Sequence, residues 1–136
     1  MAVVNQFTSF HAGGIPVTGP RETVTFAGNG TWAYGSILAR DTTTLKLVPY
    51  VKGGASAGNG VPECIVLDPA GVTKTGGAGD VTNVLVYRQG RVLKEKLIII
   101  ADGTSANIDA TVTALLQRAG IEVTASTIEH AGTNNY

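Results

Sequence analysis

Cysteine, histidine, charge and long apolar runs are all scarce in this 136-residue chain. A single cysteine, Cys64, excludes an intrachain disulfide and any multi-thiolate metal site within one chain. The two histidines, His11 and His130, lie near opposite ends with no ligand spacing between them. Charged residues are 15% of the chain, against about 25% in an average soluble domain. Ten basic residues balance ten acidic ones, so the formal net charge is zero. A binder driven by phosphate contacts carries a basic excess, and direct nucleic-acid binding is not expected. No apolar run approaches the ~18 residues of a membrane span, and the start Met1-Ala2-Val3-Val4 lacks the pattern of a secretion signal. A soluble chain made in the cytosol is expected, and its neutral, charge-poor surface favours a life against other protein.

What is abundant is β-branched and small. Val, Ile and Thr number 15, 9 and 17, and there are 18 glycines and 5 prolines. Stiff β-branched side chains fit a pleated surface, and frequent Gly and Pro break the chain into short strands with long turns. The length suits one domain with one ordinary core.

Residues 1–22 stand apart. Their only charges, Arg21 and Glu22, come last, and Gly13-Gly14-Ile15-Pro16 and Gly19-Pro20 forbid a regular helix or central strand. Yet Val3, Val4, Phe7, Phe10, Ile15 and Val17 are apolar. Disordered tails are charged and poor in aromatics. This segment reads instead as an extended arm for a groove in a partner, against the plainer alternative of a frayed terminus.

The core starts at the alternating Thr23–Ala27. Gly28-Asn29-Gly30 turns the chain, since Asn and Gly tolerate positive φ. Trp32 and Tyr34, two apart, share a face if extended. Residues 35–40 and 45–50 form a hairpin around the turn 41–44, with Pro49 at an edge or strand end. The Gly-rich stretch 52–60 lacks the spacing and the strand-to-helix setting of a phosphate loop. Residues 62–67 read as a buried strand. Residues 81–88 read as another, which Gln89-Gly90 turns into 91–95, and 96–100 as an extended segment covered on both faces. The period then changes: Ile108, Val112, Leu115, Leu116 and Ala119 make a helical stripe. The expected helix spans roughly 105–119, with Ser105 as N-cap, Asp109 in its first half, Arg118 in its last turn and Gly120 at the C-cap. Ile121-Glu122-Val123 returns to strand, and 125–136 is a polar tail.

Catalytic signals are thin. Cys64 has an apolar strand context and reads as a small buried hydrophobe. Asp41, Asp68, Asp80 and Asp102 each sit among turn residues and read as backbone caps. Trp32 and Tyr34 are the candidate interface aromatics. No metal site and no cofactor are indicated.

The segment Gly35-Ser36-Ile37-Leu38-Ala39-Arg40-Asp41-Thr42-Thr43-Thr44-Leu45-Lys46-Leu47-Val48-Pro49-Tyr50 resembles the first hairpin of the lambda-type head decoration proteins of tailed phages. The order that follows is similar too: a Gly-rich loop, Cys64-Ile65-Val66-Leu67, a loose loop, Val84 to Val92, a helix, and the closing Leu115 to Val123. The resemblance covers roughly 23–124, with departures at Cys64 and at 98–103. It implies an α+β fold: a small β-rich, barrel-like domain with one helix in the C-terminal half and an extended N-terminal arm. The division is then arm 1–22, decoration domain 23–124 and tail 125–136.

The implied role is non-enzymatic. It is a capsid cement protein, a homotrimer on the exterior of the expanded head, assembled in the host cytoplasm. Its arm would pair with the phage major capsid protein, and the shell would be held against packaged DNA. Two readings from other classes compete: a small β-rich hydrolase using Cys64 or a histidine, and a carbohydrate-binding module using Trp32 and Tyr34.

Overall fold

The computed structural model describes residues 20–124. Five short strands close into a barrel: β1 (Arg21–Phe26), β3 (Ile37–Arg40), β4 (Leu47–Pro49), β5 (Pro62–Val66) and β7 (Gly79–Tyr87). The order around the barrel is β1-β4-β3-β5-β7, with β7 returning to β1. All pairings are antiparallel except β1 with β4. A separate ribbon pairs β2 (Gly30–Trp32) with β6 (Val72–Lys74). A second pairs β8 (Gly90–Leu93) in parallel with β9 (Ile121–Thr124), following the helix α1 (Ala110–Arg118).

β3, β5 and the second half of β7 are apolar on both faces because both faces are covered there. Side chains alternate between two clusters. Leu38, Cys64, Val66, Val84 and Val86 point into one, shared with Val24, Phe26, Leu47 and the ribbon residues Trp32 and Val72. Ile37, Ala39, Ile65, Leu85 and Tyr87 point into the other, shared with Val92, Leu97, Ile99, Val112, Leu116 and Ile121. The first fills the barrel. The second packs the C-terminal module against the barrel's outer side. The continuous run Cys64-Ile65-Val66-Leu67 is therefore one strand feeding two cores.

The extended stretch 97–100 crosses that outer side. Ile98 donates its amide to the Gly35 carbonyl at 3.0 Å, and Ile37 donates to the Ile98 carbonyl at 2.9 Å. Gly35 has φ +92°, and a Cβ there would fall inside the contact radius of the Lys96 carbonyl oxygen. Only glycine lets the two backbones lie this close.

The barrel, the single helix and the 35–50 hairpin agree with expectation, and Pro49 ends its strand. Four local readings are corrected. The helix begins at Ala110, not near 105; Asp109 is the N-cap, its side chain accepting from the amides of Thr111 and Val112. Gly120 stands just past the C-cap at φ +102° as expected. Gln89-Gly90 does not fold β8 back on β7: the chain leaves the barrel there, and β8 pairs with β9 instead. The turn at Gly28-Asn29-Gly30 forms without positive φ; Asn29 holds it by accepting from the Gly77 amide at 2.6 Å. Finally, Arg21 and Glu22 belong to β1 rather than to the arm, because both are bonded into the barrel.

Candidate functional site

β1 enters the barrel at one mouth, and the strands that run beside it bring four charged side chains to the same end. Glu22 comes from β1, Arg40 from the end of β3, Glu63 from the start of β5, and Arg88 from just past β7. The Arg40 guanidinium forks onto Glu63, with Nε at 3.1 and 2.9 Å from the two carboxylate oxygens. Arg40 also lies 3.4 Å from Glu22. Arg88 donates to Glu63 at 2.8 Å and to Glu22. Two cations and two anions thus close a ring over the barrel end. The four side chains are 24–31% exposed, so the pairing is less screened than a fully exposed salt bridge. The hydrogen bond from Arg40 holds the Glu63 carboxyl below its ordinary pKa, against the opposing effect of burial. Burial works against the charge on Arg88, but the bonds to Glu63 and Glu22 more than offset it, and its pKa is raised.

Beside this ring runs an open groove of about 610 Å³ between the β3–β4 turn, the segment before β5, and α1. Leu45, Val61, Pro62, Leu115 and Ala119 give it an apolar lining, and Arg40, Glu63 and Arg118 add charge to it. Leu45 and Val61 are 65% and 61% exposed, the two most exposed large apolar side chains among the described residues. Leu45 also has φ +63°, a left-handed conformation that costs a non-glycine residue roughly 1–2 kcal/mol. Its backbone is held there from both sides. Its amide donates to the Asp41 carbonyl at 2.9 Å, and its carbonyl accepts from Arg40 Nη1 at 2.7 Å. These bonds hold an exposed apolar side chain on the rim of the groove.

The residues singled out from sequence fall as follows. The arm residues Val3, Val4, Phe7, Phe10, Ile15 and Val17, both histidines and the tail 125–136 lie outside the described residues. The described chain begins at Pro20, whose carbonyl accepts from the Val86 amide, beside the ring. Trp32 and Tyr34 do not share a face. Trp32 ends β2, and Ser36 bonds back to Ala33, so the chain turns between them. Trp32 is 5% exposed and stacked on Phe26, with centroids 3.9 Å apart. Tyr34 packs against the other cluster. A hollow of about 470 Å³ lies beside Trp32, but the ring's burial and its stacking on Phe26 leave little of it for a sugar.

Cys64 is fully buried, and burial pushes its thiol up to about 12, which removes the thiolate a nucleophile needs. Asp41 and Asp68 cap turns as expected. Asp80 instead takes Lys46 at 2.6 Å and the Thr25 hydroxyl, and Asp102 takes the Asn107 amide. Lys52, at the head of the Gly-rich loop, binds Asp109 at 2.7 Å and so fastens that loop to the N-terminus of α1. Among the described residues no group of three His, Cys, Asp or Glu side chains is arranged to hold a metal.

The ring and the groove were not anticipated from sequence. Their signal is faint: single charges at the ends of apolar strands, at Glu22, Arg40, Glu63 and Arg88, and two apolar residues in turn contexts, Leu45 and Val61.

The family model of the bacteriophage lambda head decoration protein D matches residues 10–121. The chain belongs to this family. Its members are structural proteins of the phage head, associated with the capsid rather than known for catalysis. The match begins at residue 10, ahead of β1, and runs through the barrel, the groove and α1 to the start of β9. No curated sequence matches the chain.

Proposed function

We propose that this head decoration protein is a cement protein. It binds the exterior of the expanded head as a homotrimer, engages the major capsid protein through its N-terminal arm, and stabilises the shell against packaged DNA. The observation that carries the reading is the family match over 10–121. The neutral chain and the uncharged, apolar arm support it. The buried Cys64 and the buried Trp32 weigh against a hydrolase built on that thiol and a carbohydrate site built on that indole.

The energetics favour several arms acting together. Burying the six large apolar arm side chains contributes roughly 1.5–3 kcal/mol each. Ordering about twenty residues costs at least ~1 kcal/mol each in backbone entropy. The two are of similar size, so one arm attaches weakly. Main-chain hydrogen bonds of an added strand, and three arms per trimer, supply the remainder.

The test mixes the protein with expanded, undecorated shells and measures co-sedimentation. Full-length protein is expected to bind. Deletion of residues 2–20 is expected to leave a folded domain that binds weakly or not at all. A truncated chain that decorates shells as tightly as the full one refutes the arm's role.

A further inference from the structure

The geometry points to a protein-binding site at the far end of β1: the hollow beside Trp32 takes a short, extended, uncharged segment of another protein, added as a strand where β1 and β4 part. This site lies beyond the arm contact proposed above and does not depend on it.

The ladders fix which way each backbone group points. Tyr50 donates its amide to the Ile37 carbonyl, and Asp41 donates to that of Lys46. Midway between these bonds, Ala39 faces Val48. Bonded and non-bonded pairs alternate along antiparallel strands. Val48 therefore turns its amide and carbonyl to β3, while Leu47 and Pro49 turn theirs to β1. On the other strand, the Pro20 carbonyl accepts from Val86, and Glu22, Val24 and Phe26 keep that direction, toward β7. Thr23, Thr25 and Ala27 turn theirs to β4.

β1 and β4 meet in register at one pair, Val24 with Leu47. A parallel ladder would continue with Phe26 opposite Pro49. The amide of residue 49 would donate to the Thr25 carbonyl, and Ala27 would donate to the carbonyl of residue 49. Proline has no amide hydrogen, so the first bond cannot form. The second is not made either: among the described residues, Ala27 donates to no backbone carbonyl. An acceptor on Thr25 and a donor on Ala27 are left side by side, at the spacing that one residue of a parallel strand satisfies.

The hollow opens at this break. Thr25, Ala27 and Pro49 line it with the apolar Val48 and Ile100, and no charged side chain lines it. Its volume of about 470 Å³ holds about three residues of extended chain, each taking about 3.3 by 4.8 by 10 Å. A charged segment would lose its water there without meeting an opposite charge. An uncharged segment with small or branched side chains loses less, and its main chain meets both free groups, as in strand addition at a sheet edge. β1 is six residues long, so the hollow lies about 20 Å from the charged ring.

The experiment uses the full chain in solution without shells, so its outcome is independent of capsid binding. The probe is a short capped peptide of alternating threonine and valine at millimolar concentration. Its fully N-methylated counterpart, which has no donor and crowds a strand edge, is the control. The peptide is expected to slow exchange of the Ala27 amide about fivefold or more, the effect of one net hydrogen bond, and to shift the carbonyl carbon resonance of Thr25. The N-methylated peptide is expected to do neither. Pro49→Ala supplies the missing amide and lets β4 bond to Thr25. It is expected to keep a cooperative melting transition and to abolish the peptide's effect.

An Ala27 amide that exchanges equally fast with and without the peptide overturns the proposal. So does an equal effect from the N-methylated peptide, a comparison that needs no variant to fold. Peptide binding undiminished in folded Pro49→Ala protein overturns it as well. Ala27 protection that rises with protein concentration in the absence of peptide assigns the edge to a second copy and overturns it equally.

Discussion

Gly35→Ala is expected to damage this protein far more than the loss of one hydrogen atom suggests. Gly35 has φ +92°, where an alanine pays roughly 1–2 kcal/mol in backbone strain. Its new methyl group would also overlap the Lys96 carbonyl oxygen, which is main chain and cannot rotate away. The stretch 97–99 must therefore lift. Lifting it breaks the bonds from Ile98 to Gly35 and from Ile37 to Ile98, worth about 1 kcal/mol each. It also opens water to Leu97 and Ile99, which are 0% and 1% exposed. Even partial exposure of two such side chains adds about 2 kcal/mol.

The total is about 5–6 kcal/mol, set against a stability of about 5–15 kcal/mol for a domain of this kind. At a urea m-value of about 2 kcal/mol/M, the denaturation midpoint is expected to fall by roughly 2–3 M. Gly76→Ala is the control. Gly76 has φ +79° with no atom within 4 Å of a Cβ, so it pays the backbone strain alone, about 1 kcal/mol. Equal losses in the two variants would refute the argument, because the cost would then lie in φ and not in the crossing segment.

Two further outcomes follow from the buried groups. Cys64 is expected to resist alkylation at pH 8 in the native protein and to react only on unfolding, since burial pushes its thiol up to about 12; prompt labelling of folded protein would contradict its place in the barrel. Glu63 has a folded pKa held below its ordinary 4.5, chiefly by Arg40. Its ionised form therefore adds stability above about pH 4.5 and loses that contribution as pH falls through the lower folded value. Glu63→Gln is expected to cost about 1–2 kcal/mol at pH 7 and to flatten the acid limb of a stability–pH curve; an acid limb identical to wild type would remove the ring from the account.

Much of the fold was legible because both cores write themselves into local patterns. The run Cys64-Ile65-Val66-Leu67 and the stripe through Val112 and Leu116 are each long enough to fix an element's type. The boundaries that failed did so for a local reason. Ile108 is buried and keeps helical spacing with Val112, so periodicity extends the helix back past Asp109, although the chain turns at that cap. Gln89-Gly90 suggests a hairpin, but sequence cannot tell a reversal from an exit, and the partner of β8 lies some thirty residues on in β9. Trp32 and Tyr34 obey a period of two only while the strand lasts, and it stops at Trp32.

The candidate surface was the least legible part. The ring collects Glu22, Arg40, Glu63 and Arg88 from four separate strand ends, so no window along the chain contains it. The exposure of Leu45 comes from a left-handed backbone that composition gives no reason to expect of leucine.

Barrel closure also bears on the order of assembly. β1 has one matched residue pair with β4, Val24 with Leu47, and makes its main ladder with β7, more than fifty residues later. Contacts that distant must first meet the entropy of closing the intervening loop. During synthesis, the first strand waits until Tyr87 has emerged, even though the 35–50 hairpin can pair at once. β1 is thus the seam by which the barrel is shut. A chain interrupted before β7 could still form the 35–50 hairpin, but Val24 and Phe26 would have no closed barrel to fill.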